Sequence, residues 1–194
     1  MDNEEKKEVK LEDSEKLQKK IRRSEKSVKR YQRFILRLIV VLLVIWVLFF
    51  QVIGLTHMPN GDMYPRVDAG DLVMFYRLDK DVKAQDIAVL EKTTPESPNE
   101  KELFVCRVVA VEGDTVEFQD SVLLINGNPM VESNVFYETK PYEGYGEYPV
   151  TLQKGECFVL ADYRDGGMDS RYFGVVKKEE LLGTVITIVR RNNL

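Results

Sequence analysis

The chain has 194 residues, 44% of them hydrophobic, and a formal net charge of −4, enough for one medium-sized domain plus an accessory segment. The charge is unevenly distributed, because residues 1–37 carry 13 bases and 8 acids whereas the remainder carries 15 bases and 24 acids. The acidic main portion argues against nucleic acid as a partner. A single histidine and two separate cysteines argue against a structural zinc site, and we expect neither a metal nor a cofactor.

Residues 38–55 form a long uncharged apolar stretch, LIVVLLVIWVLFFQVIGL. Its 18 residues approach the ~20 that a transmembrane helix needs. A cleaved secretory signal is the alternative, but such signals have a short basic region and an apolar core of about 7–15 residues. Here 37 mostly polar residues precede the stretch. The sequence therefore favours a retained single-pass transmembrane helix over 38–55.

Basic residues concentrate immediately before this helix. Residues 16–37 contain ten Lys or Arg and one acid, Glu25. The positive-inside rule then predicts that residues 1–37 form a basic cytoplasmic tail, which we expect to be helical and to contact anionic lipid. Residues 56–194 would lie outside the cytoplasm, at the cell membrane.

Short β-type runs separated by turns follow the apolar stretch. They read DLVMFYRL, DIAVLEK, LFVCRVVAV, DTVEF, SVLLING, ECFVLAD and TVITIVRR. Their length and spacing predict a mainly β extracytoplasmic domain over 56–194, with little helix. An insertion at about 119–150 includes the tyrosine-rich residues 136–149. These tyrosines either contact a ligand or cover an exposed edge of the domain.

Both cysteines, Cys106 and Cys157, fall on predicted strands of this domain. An extracytoplasmic pair could form a disulfide that locks the site. Two reduced, buried cysteines are the default interpretation, since a disulfide requires a Cα separation of about 5.5–6 Å that sequence alone does not establish.

Three separated blocks carry the strongest functional signal. They read DMYPRVDAGD at 62–71, FVCRVVAVEGD at 104–114 and FVLADYRDGGMDSRYFG at 158–174. Their order behind an N-terminal anchor resembles type I signal peptidase, the membrane serine protease of the S26 family that removes signal peptides from exported proteins. The resemblance extends from Leu38 to the C-terminus. It implies a signal-peptidase-like β-sheet domain at the outer membrane surface and a catalytic Ser–Lys dyad.

The resemblance also implies that the catalytic positions of this chain are substituted. The serine of the family's S-M-x-P motif falls on Asp62, and the general-base lysine falls on Cys106. A serine that supports the lysine falls on Gly167. Dyad chemistry needs a hydroxyl and a neutral amine. An Asp carboxylate has no proton to surrender, and the sequence places no basic partner beside Cys106.

The scaffold positions of the blocks match the family. By resemblance, the ion-paired framework beneath the site comprises Arg107, Asp162, Asp169, Ser170 and Arg171. The cleft residues carried over in the same way are Asn60, a candidate oxyanion-hole donor, Met63, Pro65 and Tyr163. Two of the departures, Ala161 for a usual glycine and Tyr163 for a usual asparagine, would reshape the cleft.

We therefore expect a catalytically inactive signal-peptidase-like protein. The family's cleft holds an extended peptide as an added strand, and loss of the dyad does not require loss of that grip. Family members with Asp at the nucleophile position resemble this chain and assist pilus assembly in Gram-positive bacteria, so the resemblance implies pilin, and a sortase, as partners. The alternative is an active signal peptidase that cleaves exported proteins.

Overall fold

The computed structural model describes residues 3–130, 132 and 137–190, in two compact units, Met1–Leu48 and Phe49–Leu194. Parts of the predicted insertion, residues 131 and 133–136, and residues 1, 2 and 191–194 lie outside the described residues. Each unit is presented by itself.

The first unit contains helix α1, Asn3–Val47, and a π-helical turn follows along the chain at Leu48–Val52, across the boundary between the units. Within the described residues, Gln18–Val52 is long and apolar enough to cross a membrane, with a mean hydropathy of 2.8 over its most apolar window. Helical geometry ends at Val52, three residues before the predicted end of the span at residue 55, because Ile53 begins a β-strand. Gly54 of that strand packs so closely on Phe75 that a Cβ would overlap the ring.

The second unit contains eleven strands and one short helix among its described residues. The strands are β1 (Ile53–His57), β2 (Leu72–Tyr76), β3 (Ile87–Thr93), β4 (Lys101–Ala110), β5 (Thr115–Gln119), β6 (Val122–Ile125), β7 (Asn128–Pro129), β8 (Val150–Thr151), β9 (Glu156–Leu160), β10 (Val176–Lys177) and β11 (Leu181–Val189). Helix α2 is Ser170–Phe173. The prediction of a mainly β domain is confirmed.

The strands form two antiparallel sheets. The larger has seven strands in the order β1-β2-β11-β3-β4-β9-β10, and the smaller has four in the order β7-β6-β5-β8. The smaller sheet is built from the region predicted as an insertion, 119–150, together with β5. Its core cluster includes Val116, Leu123 and Leu152, which pack with Phe158 and Leu160 of β9 in the larger sheet.

Strand β4 positions the site because it is buried from Phe104 to Ala110. Alternate side chains of a strand point to opposite faces. Cys106 belongs to a cluster with Val108, Val159 and Leu181, whereas Val105 belongs to a second cluster on the other face. Full burial of such apolar side chains contributes about 1.5–3 kcal/mol each.

Candidate functional site

The three positions where the family resemblance implies a serine, a lysine and a second serine meet around the backbone of Met168. The amide of Met168 donates a hydrogen bond to Asp62 Oδ2 at 3.3 Å. The thiol of Cys106 contacts the carbonyl oxygen of the same residue at 3.8 Å. Gly167 immediately precedes Met168, and a Cβ built on it would lie 3.6 Å from the Cβ of Asp62. The blocks that lie far apart in sequence therefore converge on one small site.

Within the described residues, the Asp62 carboxylate accepts hydrogen bonds through Oδ2 alone. Asn60 Nδ2 donates to Asp62 Oδ2 at 2.8 Å, and the Asp62 amide donates to Asn60 Oδ1 at 3.2 Å. Burial raises the pKa of Asp62 above its ordinary value, against hydrogen bonds from Met168 and Asn60 that lower it. Asn60, the candidate oxyanion-hole donor, thus directs its side-chain amide to Asp62.

Cys106 is fully buried within an apolar cluster. Burial is the main cause that raises its pKa well above that of a free thiol, and the negative charges of Asp169 and Asp62 act in the same direction. The thiol is therefore protonated at neutral pH and is not a nucleophile. Both Cys106 and Cys157 are free, so the disulfide interpretation is wrong and the default of two reduced, buried cysteines is confirmed.

Gly167 is in a position that has no room for a side chain. An added Cβ would overlap the Cβ of Ala161 and would lie 2.7 Å from the carbonyl oxygen of Tyr163. Ala161 is itself fully buried. The alanine at 161 and the glycine at 167 therefore share one small volume, and a side chain at either position limits the other.

Beneath the site lie two buried ion pairs. Arg107 grips Asp162 in a bidentate manner, with Nε to Oδ1 at 2.8 Å and Nη2 to Oδ2 at 2.6 Å. Arg107 Nη1 also donates to the carbonyl of Gln85. The Asp162 hydrogen bond raises the pKa of Arg107. These bonds tie β4 to the segment after β9 and to the loop before β3.

The second pair joins Asp169 and Arg171, both fully buried. Asp169 caps helix α2 by accepting from the Arg171 amide, accepts from the Ala161 amide at 3.0 Å, and accepts from Arg171 Nη2 at 2.8 Å. Ser170 Oγ accepts from the amide of Val159 at 3.0 Å. Asp169 is therefore saturated with donors, and its position is fixed by the buried arginine.

An open cleft of about 340 Å³ lies over Asp62. It is lined by Gly61, Asp62, Tyr64, Asp68, Tyr163 and Gly166. Of the residues predicted for the cleft, Tyr163 lines it, and its amide donates to the carbonyl of Asp62 at 2.8 Å.

Three predicted cleft residues, Asn60, Met63 and Pro65, do not line this cleft. Met63 is fully buried and packs with Val67, Phe75 and Val105, because its side chain faces the core. Pro65 is exposed and is not among the lining residues. Sequence reasoning missed Tyr64 and Asp68, although both lie within the first block.

The tyrosines of the insertion pack on the third block. The Tyr142 hydroxyl donates to the carbonyl of Gly167 at 2.9 Å, and its ring lies 4.6 Å from the Arg171 guanidinium. Each of the other three tyrosines of 137–149 contacts an aromatic ring of the domain, in the pairs Tyr137–Tyr163, Tyr145–Tyr172 and Tyr148–Phe158. This packing favours the interpretation in which the tyrosines cover the domain.

Positions 62 and 106 carry neither a hydroxyl nucleophile nor an amine base. A carboxylate at 62 has no proton to transfer, and the protonated thiol at 106 is no base. A mechanism with two carboxylates sharing a proton would need a second free acid. Asp169 is the acid whose charge acts on both Asp62 and Cys106, but Arg171 and two backbone amides already hold it.

The antiparallel β domain and its converging blocks define a protein of the signal peptidase class. Residues 28–190 match the family model described as signal peptidase, peptidase S26. The chain belongs to this family.

Curated relatives agree with this assignment. Thylakoidal processing peptidase 1 of Arabidopsis thaliana is 32% identical over 134 residues, which cover 64% of this chain and 38% of the relative. Probable signal peptidase I-2 of Synechocystis is 30% identical, covering 66% and 58%. Signal peptidase I of Bacillus caldolyticus is 30% identical, covering 63% and 71%. The chain thus covers less than two thirds of the first two relatives.

The crystal structure of a signal peptidase I from Enterococcus faecalis aligns with a TM-score of 0.42 and 28% identity, over 55% of this chain and 97% of that chain.

Proposed function

We propose that this chain is a membrane-anchored, non-hydrolytic signal-peptidase-like protein that binds extended peptide segments of exported proteins. One observation carries the proposal: Asp62, the protonated thiol of Cys106 and Gly167 meet at Met168, where the family resemblance implies a serine, a lysine and a second serine. The groups that would activate a nucleophile are replaced. The rigid scaffold that surrounds them is retained in the buried ion pairs.

The edge of the larger sheet supports peptide binding. Strand β1 is a terminal strand whose register with β2 runs from Ile53 opposite Tyr76 to His57 opposite Leu72. Among the described strands, none pairs with its other edge. An extended peptide adds to such an edge through main-chain hydrogen bonds. Strand β1 ends at His57, five residues before Asp62 of the cleft.

The outer face of the same strands supports a membrane location. Leu55 of β1 and Thr187 of β11 both lie opposite Met74 of β2. Leu55 is 46% exposed, and Ile186 and Val189 of β11, on either side of Thr187, are 57% and 55% exposed. An apolar exposed face in the unit that follows a candidate span fits contact with lipid. The basic tail 1–37 would then be cytoplasmic and the β domain extracytoplasmic.

A cleavage assay tests the absence of hydrolysis. The full-length protein in liposomes is incubated with a preprotein bearing a signal peptide, and the products are identified by mass spectrometry. We expect no cleavage, while signal peptidase I of Bacillus caldolyticus cuts the same preprotein in a parallel reaction. Cleavage after a small residue by this chain, lost in Asp62→Ala, would establish the second candidate, an active signal peptidase, which the names of the relatives favour.

Pilin is the client that the family resemblance implies, with a sortase as a neighbouring factor in pilus assembly. A photoreactive phenylalanine at Tyr64, which lines the cleft and is 51% exposed, should crosslink pilin in cells that build pili. The same group at Leu78, 65% exposed and outside the cleft, is the matched control. Equal crosslinking from both positions, or none from Tyr64, would contradict pilin as the client.

A further inference from the structure

The cleft over Asp62 has a chemical character that defines the peptides it would accept. Its six lining residues include two carboxylates, Asp62 and Asp68, and two tyrosines, Tyr64 and Tyr163, with no Lys or Arg. Its volume of about 340 Å³ lies at the low end for ligand sites, which suits one long side chain rather than a large ligand.

The Asp62 carboxylate has an unused hydrogen-bond acceptor. Both of its side-chain hydrogen bonds, from Asn60 and Met168, go to Oδ2. Within the described part of the chain, Oδ1 accepts no hydrogen bond. Asp62 is only partly buried and lines the open cleft. A donor that enters the cleft can therefore reach a carboxylate oxygen that the protein itself does not occupy.

Two aromatic side chains line the same small volume. Tyr64 is half exposed, and Tyr163 is fixed by an edge-to-face contact with Tyr137 at 5.3 Å. Aromatic faces within about 6 Å attract ammonium and guanidinium groups. A carboxylate beside tyrosine rings selects a cation, because a neutral side chain gains from the rings alone and an anion is repelled.

We propose that this cleft accepts an extended peptide by binding one lysine or arginine side chain, whose charged group donates to Asp62 Oδ1 against the rings of Tyr64 and Tyr163. The proposal rests on the proposed peptide-binding function and specifies its ligand class. Asp68, at the exposed side of the cleft, adds a second negative charge. Aspartate at the position of the family's nucleophile thus acts as a recognition residue for the positive side chain.

Fluorescence anisotropy with matched peptides tests this. The full chain is placed in nanodiscs of phosphatidylcholine, and two labelled ten-residue alanine peptides are titrated, one with a central lysine and one with norleucine at the same site. We expect the lysine peptide to bind at least tenfold more tightly, as one charge-assisted hydrogen bond predicts. Higher salt should reduce that ratio.

Variants identify the residue responsible. Asp62→Asn should bring the ratio of the two affinities close to one. Asp165→Asn removes the same charge from an exposed residue outside this cleft and should leave the ratio unchanged. An equal loss in both variants would show a general charge effect and overturn the proposal.

The peptides also separate this inference from the proposed function. Equal, measurable binding of the lysine and norleucine peptides would overturn cation recognition and leave peptide binding standing. No binding of either peptide above empty nanodiscs would overturn both.

Discussion

The buried ion pairs of this site and the Asp62 position differ in burial and in hydrogen bonding, although they lie on the same few strands and loops. The framework pairs, Arg107–Asp162 and Arg171–Asp169, are buried and fully hydrogen-bonded. Asp62 instead sits at an open cleft with one carboxylate oxygen bound. The ion pairs are enclosed by the fold, whereas Asp62 is open to the cleft.

This difference separates two requirements that an active enzyme combines. A buried ion pair is fixed by the fold, because removing one partner leaves an uncompensated charge. A nucleophile, in contrast, is required by the reaction and not by the stability of the fold. Under the proposed function, the side chains at positions 62, 106 and 167 replace the dyad while the ion pairs remain, so a peptide-binding surface can persist on that scaffold.

The largest effect should come from Asp169→Ala. This change removes the partner of buried Arg171, the cap of helix α2 and the acceptor for the Ala161 amide together. We expect the free energy of unfolding to fall by about 3–5 kcal/mol. Urea denaturation of the full chain in micelles, followed by circular dichroism, measures it.

The matched control is Asp165→Ala, which removes an exposed carboxylate from the same loop and should change stability by less than about 0.5 kcal/mol. A loss of comparable size in the two variants would show that the buried pair contributes no more than a surface charge.

Gly167→Ser should have the next largest effect. The new Cβ overlaps Ala161 and approaches the Tyr163 carbonyl, so overpacking should destabilise the domain by about 1–3 kcal/mol. Adding Ala161→Gly removes one of the two clashes and should recover part of the loss. A double-mutant cycle on thermal unfolding measures the coupling, which we expect to exceed about 0.5 kcal/mol.

Additive effects of the two substitutions would contradict a shared volume at 161 and 167. Their coupling would also mean that a serine at 167, which the family resemblance implies, needs space that Ala161 occupies.

Tyr142→Phe should cost less, because it removes one hydroxyl and keeps the ring against Arg171. The lost hydrogen bond to the Gly167 carbonyl is worth about 0.5–1.5 kcal/mol. Tyr137→Phe keeps the ring contact with Tyr163 and serves as the control, with a change below about 0.5 kcal/mol. Chemical denaturation of both variants shows whether the insertion stabilises the site, and an equal small loss in the two would argue that it does not.

The sequence motifs predicted which positions meet, because the three blocks carry family-specific spacing. The β-type runs likewise predicted seven of the strands of the domain, from DLVMFYRL to TVITIVRR. Strand β1 was missed, since Ile53–Leu55 continue the apolar run and only the packing of Gly54 on Phe75 distinguishes them from a span.

The contacts at the centre of the site could not be predicted from sequence. Met168 joins Asp62 to Cys106 through its backbone, which any residue type could provide. Met63 lies in the core although its motif places it beside the nucleophile position. Tyr142 reaches Gly167 across 25 residues. Each of these depends on long-range placement, and no local pattern encodes it.

The smallest effect concerns the pH dependence of stability at Asp62. Burial raises the pKa of this carboxyl in the folded state, so the folded protein holds the proton more tightly than the unfolded chain. Below the ordinary value of 3.8 both states are protonated and the group contributes nothing. As pH rises through the raised folded pKa, the free energy of unfolding falls to a constant penalty.

Asp62→Asn removes this titration, and its stability relative to wild type should therefore increase from pH 3.5 to pH 7. Asp62→Ala provides the internal control, because it also lacks the carboxyl and should show the same change with pH despite a different constant offset. Thermal unfolding at a series of pH values measures both variants. A relative stability that falls toward pH 7 would mean that the fold stabilises the ionised carboxylate of Asp62. Asp62 would then resemble the buried ion pairs in this respect, and the contrast between them would be contradicted.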